Sequence, residues 1–322
     1  MVLMDMNLMG IEAPPGMLIV ANSGIAAFDQ VLEFFAAQIS NDNTRTAYHQ
    51  AVRNFFVWLE GYDVTSLEQI RPMHVAAWVE DLKTAYSVPS VKLKLTAVTM
   101  LLDWLVVKHV LPVNPAKSVR SPRYSIAKGK TPVLSAAEAR TLMESIPDSD
   151  LIGVRDRALI GLMLYTFVRV GAALAMKRSD VFFSQHRMWV RLFEKGGKVH
   201  EMPCHHELEE LLRLYLEVSS GPGNDAYLFR SLSRSGRAFT AKRLLPANAH
   251  DRVQRRAKAA GIEAHISCHS FRATGITTYL SNSGTLELAA RMANHSSTRT
   301  TQLYDRRHDA IAQTEVERIR YE

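Results

Sequence analysis

The chain has 322 residues, 47% of them hydrophobic and 22% charged, which excludes a disordered chain and is typical of a globular protein with two domains. Its two cysteines give no disulfide framework and favour a reducing, cytoplasmic environment, and we expect neither a membrane span nor a signal peptide. The net charge of +7 is uneven, because residues 1–107 hold 6 basic and 11 acidic residues while residues 108–130 hold six basic residues and no acidic one. A basic connector beside a basic C-terminal half fits a polyanionic partner, although solubility alone would also explain such a charge.

The N-terminal third has the apolar spacing of three and four residues that amphipathic helices show. The pattern predicts four helices within residues 25–112. The first covers about 28–39, the second ends near Gly61, the third begins at Pro72 and the fourth covers about 90–108. We expect these helices to bury their apolar stripes against one another as a small bundle.

The next segment, residues 113–134, holds three prolines without any periodic pattern, so we expect an extended basic linker. Ser135 and Glu138 are typical of a capping box and would open a second domain at 135–322. A hairpin is predicted there, with strands at 188–193 and 198–202. Helices are predicted at about 136–145, 153–167, 206–219, 239–260, 270–281, 285–293 and 298–304, and an apolar stripe predicts a tail helix at 306–322.

Six polar residues of the second domain have the side chains that phosphodiester transfer needs. In chain order they are Arg169, Lys195, His269, Arg272, His295 and Tyr304. No Gly-rich phosphate loop occurs, so we expect no nucleotide cofactor. A zinc site at His265, Cys268 and His269 would lack a fourth ligand at a matching spacing, so we expect no metal.

In this order the six residues resemble the signature of the tyrosine recombinase family, which includes phage integrases and Xer-like proteins. The similarity covers roughly residues 25–322. The linear order, the hairpin setting of Lys195 and the nine-residue step from His295 to Tyr304 make it specific together, whereas any one of these motifs alone would be weak. The resemblance implies a mainly α fold, with an N-terminal helical, SAM-like core-binding domain and a mixed α/β catalytic domain of the DNA breaking-rejoining type. It also implies a site-specific recombinase that forms a 3′-phosphotyrosine intermediate and acts as a homo-tetramer on two double-stranded DNA sites. The need for an accessory protein stays open.

The chemistry of each side chain fits such a reaction. Two guanidiniums, those of Arg169 and Arg272, can hold the phosphate oxygens on which negative charge grows during attack. A tyrosine hydroxyl has a pKa of about 10, so the nucleophile needs a proton acceptor. We expect His269 to accept the proton of Tyr304, and His295 to donate a hydrogen bond to the phosphate.

The leaving 5′-oxygen needs a proton, and Lys195 is the expected general acid. Lys198, on the other side of the two glycines, competes for this role, although the resemblance favours the lysine that precedes the glycines. Tyr321 also lies near the end of the chain, but no polar motif leads into it. Tyr304 is therefore the expected nucleophile.

Basic side chains outside these six residues are predicted to contact DNA phosphates. In the first domain and the linker they are Arg45, Lys92, Lys94, Arg120 and Arg123. In the second domain a basic cluster either faces DNA or forms a solvated surface, and it comprises Arg252, Arg255, Arg256 and Lys258.

Three positions depart from the family pattern and suggest a divergent, mobile-element branch. The family has glycine two residues before the first arginine, an acid three residues after it, and glycine before the second histidine. This chain has Phe167, Ala172 and Asn294 there. The missing acid removes an expected orienting partner of Arg169 or of a neighbour.

Two other functions use related features. A type IB topoisomerase relaxes DNA by the same chemistry, but the integrase-like first domain argues against it. A non-catalytic DNA-binding regulator would bind a site without forming a covalent adduct.

Overall fold

The computed structural model describes residues 15–124, 129, 131–194, 197–219, 221, 223–305 and 317–319. The chain divides into two compact units, residues 1–125 and 126–322, and each has its own hydrophobic core. The division falls inside the segment predicted as a linker. Lys195 lies outside the described residues, as does most of the predicted tail helix.

The first unit is helical, as predicted. Asn41 caps the helix Asp42–Glu60 by accepting a hydrogen bond from the Thr44 amide. Prolines lie in the first turns of the helices Pro72–Ala85 and Val88–Val107. A π-helical turn, Phe34–Gln38, follows the second helix. The helices are α1 (Leu18–Asn22), α2 (Ile25–Glu33), α3 (Asp42–Glu60), α4 (Pro72–Ala85) and α5 (Val88–Val107).

The core of this unit is aromatic and aliphatic. The ring of Phe55 on α3 lies 4.8 Å from that of Trp78 on α4, between centroids, and both side chains are buried. Leu101 and Leu102 of α5 are also fully buried. The apolar stripes recognised in the sequence therefore face one another, which confirms the predicted bundle.

The second unit mixes helices with two small antiparallel sheets. One sheet has the strand order β1-β2-β3, and the other pairs β4 with β5. The helices are α6 (Ala136–Ser145), α7 (Leu151–Thr166), α8 (Val170–Ala175), α9 (His206–Val218), α10 (Pro246–Ala259), α11 (Cys268–Ser281), α12 (Leu286–Met292) and α13 (Thr298–Gln302). The strands are β1 (Val181–Ser184), β2 (Arg187–Glu194), β3 (Lys198–Pro203), β4 (Arg230–Leu232) and β5 (Phe239–Arg243).

Local signals explain several of these elements. The Ser135 amide donates to the Glu138 carboxylate at 2.7 Å, and the Glu138 amide donates back to the Ser135 hydroxyl at 3.2 Å, so the predicted capping box opens α6. The predicted hairpin is also present, with Glu194 at the end of β2 opposite Lys198 at the start of β3.

The helix predicted at 239–260 is wrong in its first part. Residues Phe239–Arg243 form β5, and the helix begins only at Pro246, whose missing amide suits a first turn and prevents extension backwards. Strands β1 and β4 were not predicted, because four and three residues are too short to show alternation.

Helix α7 lies at the centre of the second core and packs against α9 and α11. It even buries an ion pair, Arg155 with Asp156, whose side chains are each 3% exposed and which Arg256 of α10 joins at 3.1 Å. In the part of the chain that the structure describes, no helix combines the length and apolarity needed to cross a membrane.

Candidate active site

The first predicted site residue follows the end of α7. Thr166 ends that helix, and Phe167 after it has a left-handed backbone, with φ of 57°. Arg169 then returns to an extended conformation and is the N-cap of α8. Its side chain is 40% exposed, so its guanidinium can reach a ligand that approaches from solvent.

Arg272 lies within the protein, on α11, with its side chain 1% exposed. Its two terminal nitrogens donate to the carbonyl oxygens of Phe167 and Ala293, which directly follow the ends of α7 and α12. Burial, and then the charge of Arg169, lower the pKa of Arg272 to about 10. At neutral pH the guanidinium is still a cation.

Glu194 connects the two arginines. Its carboxylate, at the end of β2, accepts from Arg169 Nη1 at 2.5 Å and lies 3.8 Å from Arg272 Nη1. It also accepts from the Arg169 backbone amide at 3.3 Å. This residue was not among the candidates found in the sequence.

The nucleophile and proton acceptor predicted from the sequence are in contact. His269 Nε2 and the Tyr304 hydroxyl oxygen lie 2.8 Å apart. Burial, and then the charges of Arg272 and Arg169, lower the pKa of His269, so the imidazole is neutral at physiological pH. A neutral imidazole can accept the tyrosine proton at Nε2.

Packing and a backbone hydrogen bond hold Tyr304 in place. Tyr304 is 8% exposed and lies in a small core with Phe167 and Ile276, while its backbone carbonyl accepts from the Thr277 hydroxyl at 2.9 Å. Burial raises the pKa of Tyr304, and the arginines oppose this by lowering it. The phenol is therefore protonated at neutral pH, and a nucleophilic attack by it would require a proton acceptor.

The second histidine is oriented by a buried hydroxyl. His295 Nδ1 lies 2.8 Å from Thr301 Oγ1, and the His295 ring is parallel to that of Tyr304, with 6.1 Å between centroids. Burial, and then the charges of Arg272 and Arg169, lower the pKa of His295 to about 3. A neutral ring that accepts the Thr301 proton at Nδ1 carries its own proton on Nε2 and can donate it to a phosphate oxygen.

Five of the six predicted site residues are thus brought into one cluster. The sixth, Lys195, lies outside the described residues, and the strands on either side of it end at Glu194 and begin at the exposed Lys198. Its role as general acid stays a prediction.

Sequence inspection missed Glu194, Thr301 and His200. His200 of β3 is half-buried, and burial lowers its pKa while the charge of Glu194 raises it. None of the three belongs to the motifs that carry the six candidates. Glu194 and Thr301 are recognised only by the contacts that they make with Arg169 and His295 in the folded chain, and His200 only by its burial near Glu194. For Glu194 one hint existed, since it directly precedes Lys195.

The predicted DNA contacts have differing settings, and all stay predictions. Arg45 donates to the carbonyl oxygens of Phe35 and Ile39 and pairs with Asp42, so most of its donors hold the turn before α3. Lys92 is half-buried, and the Lys94 ammonium lies 4.5 Å from the ring centroid of Tyr86.

The remaining predicted contacts lie in the linker and on α10. Arg120, Arg123 and Arg255 are exposed, whereas Arg252 is half-buried. Arg256 is different, because its ion pair with the buried Asp156 gives it a structural function.

One group of described residues has the spacing of a metal site. His205, His206 and Glu207 have ligand atoms within 4.8 Å of one another, all exposed at the start of α9. His205 stacks on the ring of Tyr165, whose hydroxyl donates to Glu207. This trio shares no residue with the cluster of five predicted site residues described above.

Two comparisons of sequence identify relatives. Residues 132–310 match the phage integrase family, and residues 29–109 match the phage integrase N-terminal SAM-like domain. Tyrosine recombinase XerC of Serratia marcescens is 29% identical over 244 residues, which cover 75% of this chain and 76% of the relative. Tyrosine recombinase XerC of Yersinia pestis is 30% identical over 217 residues, 67% of each chain.

Solved structures share the fold. The XerH site-specific recombinase bound to difH substrate matches with a TM-score of 0.67 and 18% identity, over 95% of this chain and 97% of that one. A lambda integrase tetramer bound to a Holliday junction matches with a TM-score of 0.68 and 15% identity, over 97% and 87%. The predicted fold class, a helical domain followed by a mixed α/β catalytic domain, is confirmed.

Proposed function

The chain belongs to the phage integrase family and is a tyrosine recombinase, and we propose that it breaks and rejoins DNA at specific sites through a covalent bond between Tyr304 and a 3′-phosphate. The observation that carries the proposal is the 2.8 Å contact between the Tyr304 hydroxyl and His269 beside two arginines. A phenol, a neutral base and two fixed cations are what attack on a phosphodiester requires.

The reaction can be followed through the proposed site. Tyr304 Oη attacks the phosphorus and its proton passes to His269 Nε2, while the bond to the 5′-oxygen breaks and Lys195 gives that oxygen a proton. Arg169 and Arg272 hold the non-bridging oxygens as their charge grows. In the reverse step a 5′-hydroxyl attacks the phosphotyrosine and returns its proton to Lys195. The bond from phosphorus to Tyr304 Oη breaks, and the phenolate recovers its proton from His269.

The partners follow from the family and from the charge. We propose double-stranded DNA as the substrate and a homo-tetramer on two sites as the active assembly, as in the lambda integrase tetramer bound to a Holliday junction. The basic residues of the linker and of α10 would contact phosphates. The two free cysteines fit a reaction in the cytoplasm, and accessory proteins would add a further level of site choice.

The proposal is tested with a nicked substrate that traps the covalent intermediate. Tyr304→Phe should bind the DNA site as well as the wild type and form no adduct on denaturing gels. Tyr279→Phe, on the neighbouring α11, is the matched control and should form adducts normally. Adducts in Tyr304→Phe would place the nucleophile elsewhere. A wild-type chain that binds the site without adducts would be a regulator, and one that only relaxes supercoils would be a topoisomerase.

The role of Lys195 is tested by changing the leaving group. A substrate with sulfur in place of the 5′-bridging oxygen has a leaving group that needs no proton. Lys195→Ala should cleave this substrate far better than the normal one, whereas Lys198→Ala should treat the two alike. An equal loss on both substrates by Lys195→Ala would assign Lys195 to phosphate binding.

A further inference from the structure

We propose that Glu194 is the positioning residue for the two arginines, an inference that rests on the proposed function. Its side chain is 2% exposed, and a carboxylate so far from water is costly unless cations and hydrogen bonds compensate it. Arg169 and Arg272 supply both, at 2.5 Å and 3.8 Å. One carboxylate thus lies between two guanidiniums that otherwise repel each other.

The two arginines depend on Glu194 to different degrees. Arg272 has further fixed partners, the carbonyl oxygens of Phe167 and Ala293. For Arg169, the hydrogen bonds and ion pairs of the described residues give its guanidinium no partner other than Glu194. Since the Arg169 side chain is 40% exposed, loss of the carboxylate would free it to sample many rotamers.

The backbone contact indicates which ordinary device Glu194 replaces. Arg169 is the N-cap of α8, and an acid three residues later would reach back to its amide in a capping box. That position holds Ala172, whose methyl group cannot accept a hydrogen bond. Instead, Glu194 Oε1 accepts from the Arg169 amide at 3.3 Å while Oε2 holds its guanidinium. A residue of β2 therefore does from outside the helix what an acid at position 172 would do from within.

This arrangement predicts that a carboxylate at position 172 can replace the carboxylate of Glu194. Glu194→Gln keeps the size of the side chain and removes the charge, so the arginines lose their common anion. Its single-turnover cleavage rate should fall about tenfold to hundredfold, part of what a whole transition-state donor contributes, with site affinity within about twofold. Adding Ala172→Glu to Glu194→Gln should restore at least about tenfold of the rate. A merely structural Glu194 would give no such rescue by a distant acid.

The control is a glutamate of the same sheet. Glu201 of β3 pairs with Arg191 at 2.7 Å, and its side chain is 43% exposed, so Glu201→Gln should cleave like the wild type. The melting temperatures of all variants distinguish a loss of folding from a displacement of the two arginine side chains in a folded protein. Should Glu194→Gln fail to fold, the double variant must fold and cleave.

Two results would overturn the inference. One is wild-type cleavage by Glu194→Gln, and the other is loss of cleavage in both the single and the double variant. In either case adducts formed by the wild type would leave the proposed function standing, whereas absence of wild-type adducts would refute the function itself.

Discussion

Gly275→Ala is a substitution of one methyl group that should loosen the whole arginine cluster. Gly275 lies on α11 where this helix packs against α7, and an added Cβ would lie 2.1 Å from the Leu164 carbonyl oxygen and 2.7 Å from two ring carbons of Phe167. Real carbon atoms do not approach so closely, so something must move. The Leu164 oxygen belongs to a helix backbone and the Phe167 ring is buried. Neither group can therefore move away from the added Cβ without an energetic cost.

The expected cost can be worked from these contacts. Overpacking of a close-packed core costs about 1–3 kcal/mol, and two simultaneous clashes place Gly275→Ala toward the upper end. A helical Gly→Ala exchange returns about 0.5–1 kcal/mol through backbone entropy. The net loss is about 2 kcal/mol, which lowers the melting temperature of a unit of this size by about 4–8 °C. Because the Phe167 carbonyl accepts from Arg272, its displacement should slow cleavage as well.

Thermal denaturation and single-turnover cleavage, measured on the same preparations, check this prediction. Gly171→Ala is the matched control, since it is also helical, lies two residues after Arg169 and has no atom within 4 Å of the added Cβ. It should melt at or slightly above the wild-type temperature and cleave normally. Equal melting temperatures for Gly275→Ala and the wild type would refute the packing argument, because they would mean that α7 and α11 can separate without cost.

Three further predictions concern other parts of the site and the linker. Thr301→Val removes the hydroxyl that orients His295 and should slow cleavage about tenfold with unchanged site affinity in gel-shift titrations; an unchanged rate would contradict the orienting role. The pKa of His295 is about 3 in the folded chain and about 6.5 in the unfolded chain. Above pH about 6.5 the side chain is therefore neutral in both the folded and the unfolded chain. Below that pH only the unfolded chain binds the proton, so the free energy of unfolding falls. His295→Gln should therefore lose less melting temperature between pH 7 and pH 5 than the wild type, and an equal loss would disprove the assignment. Replacing Arg120 and Arg123 by alanine should flatten the dependence of log affinity on log salt by about one to two, and a constant slope would remove the linker from the DNA contact surface.

The sequence predicts the helices of this fold better than its strands, for a physical reason. A helix such as α3 repeats its apolar spacing over 19 residues, and the repeat survives one or two exceptions. Strands β4 and β5 have three and five residues, and they are stabilised by contacts such as the Thr240 hydroxyl bonding to the Ser231 carbonyl. Such contacts are not visible in a sequence pattern, so the pattern places residues 239–243 in the helix that follows them.

The site shows the same division. The six candidates were recognisable because each belongs to a short motif in a fixed order. Glu194 was not, since its partner Arg169 is 25 residues away and meets it only when β2 packs beside α8. The absence of an acid at position 172 signalled that a partner was missing, but it could not indicate which of the 32 acidic residues would take its place.

Two positions where the family has glycine, Phe167 and Asn294 in this chain, help to explain how the buried guanidinium of Arg272 is stabilised. Phe167 and Asn294 both have left-handed backbones, with φ of 57° and 48°. Phe167 is the C-cap of α7, and Asn294 follows Ala293, the C-cap of α12. Asparagine adopts this conformation readily, whereas phenylalanine pays a steric cost of about 1–2 kcal/mol. At both ends the chain reverses beside a carbonyl, of Phe167 or of Ala293, that accepts from Arg272. The negative ends of two helix dipoles thus meet the buried cation, and Glu194 adds a full negative charge. The burial of Phe167 in the small core that also contains Ile276 and Tyr304 offsets the strain at its backbone, so the residue that closes α7 belongs both to the core around the proposed nucleophile and to the contacts of Arg272.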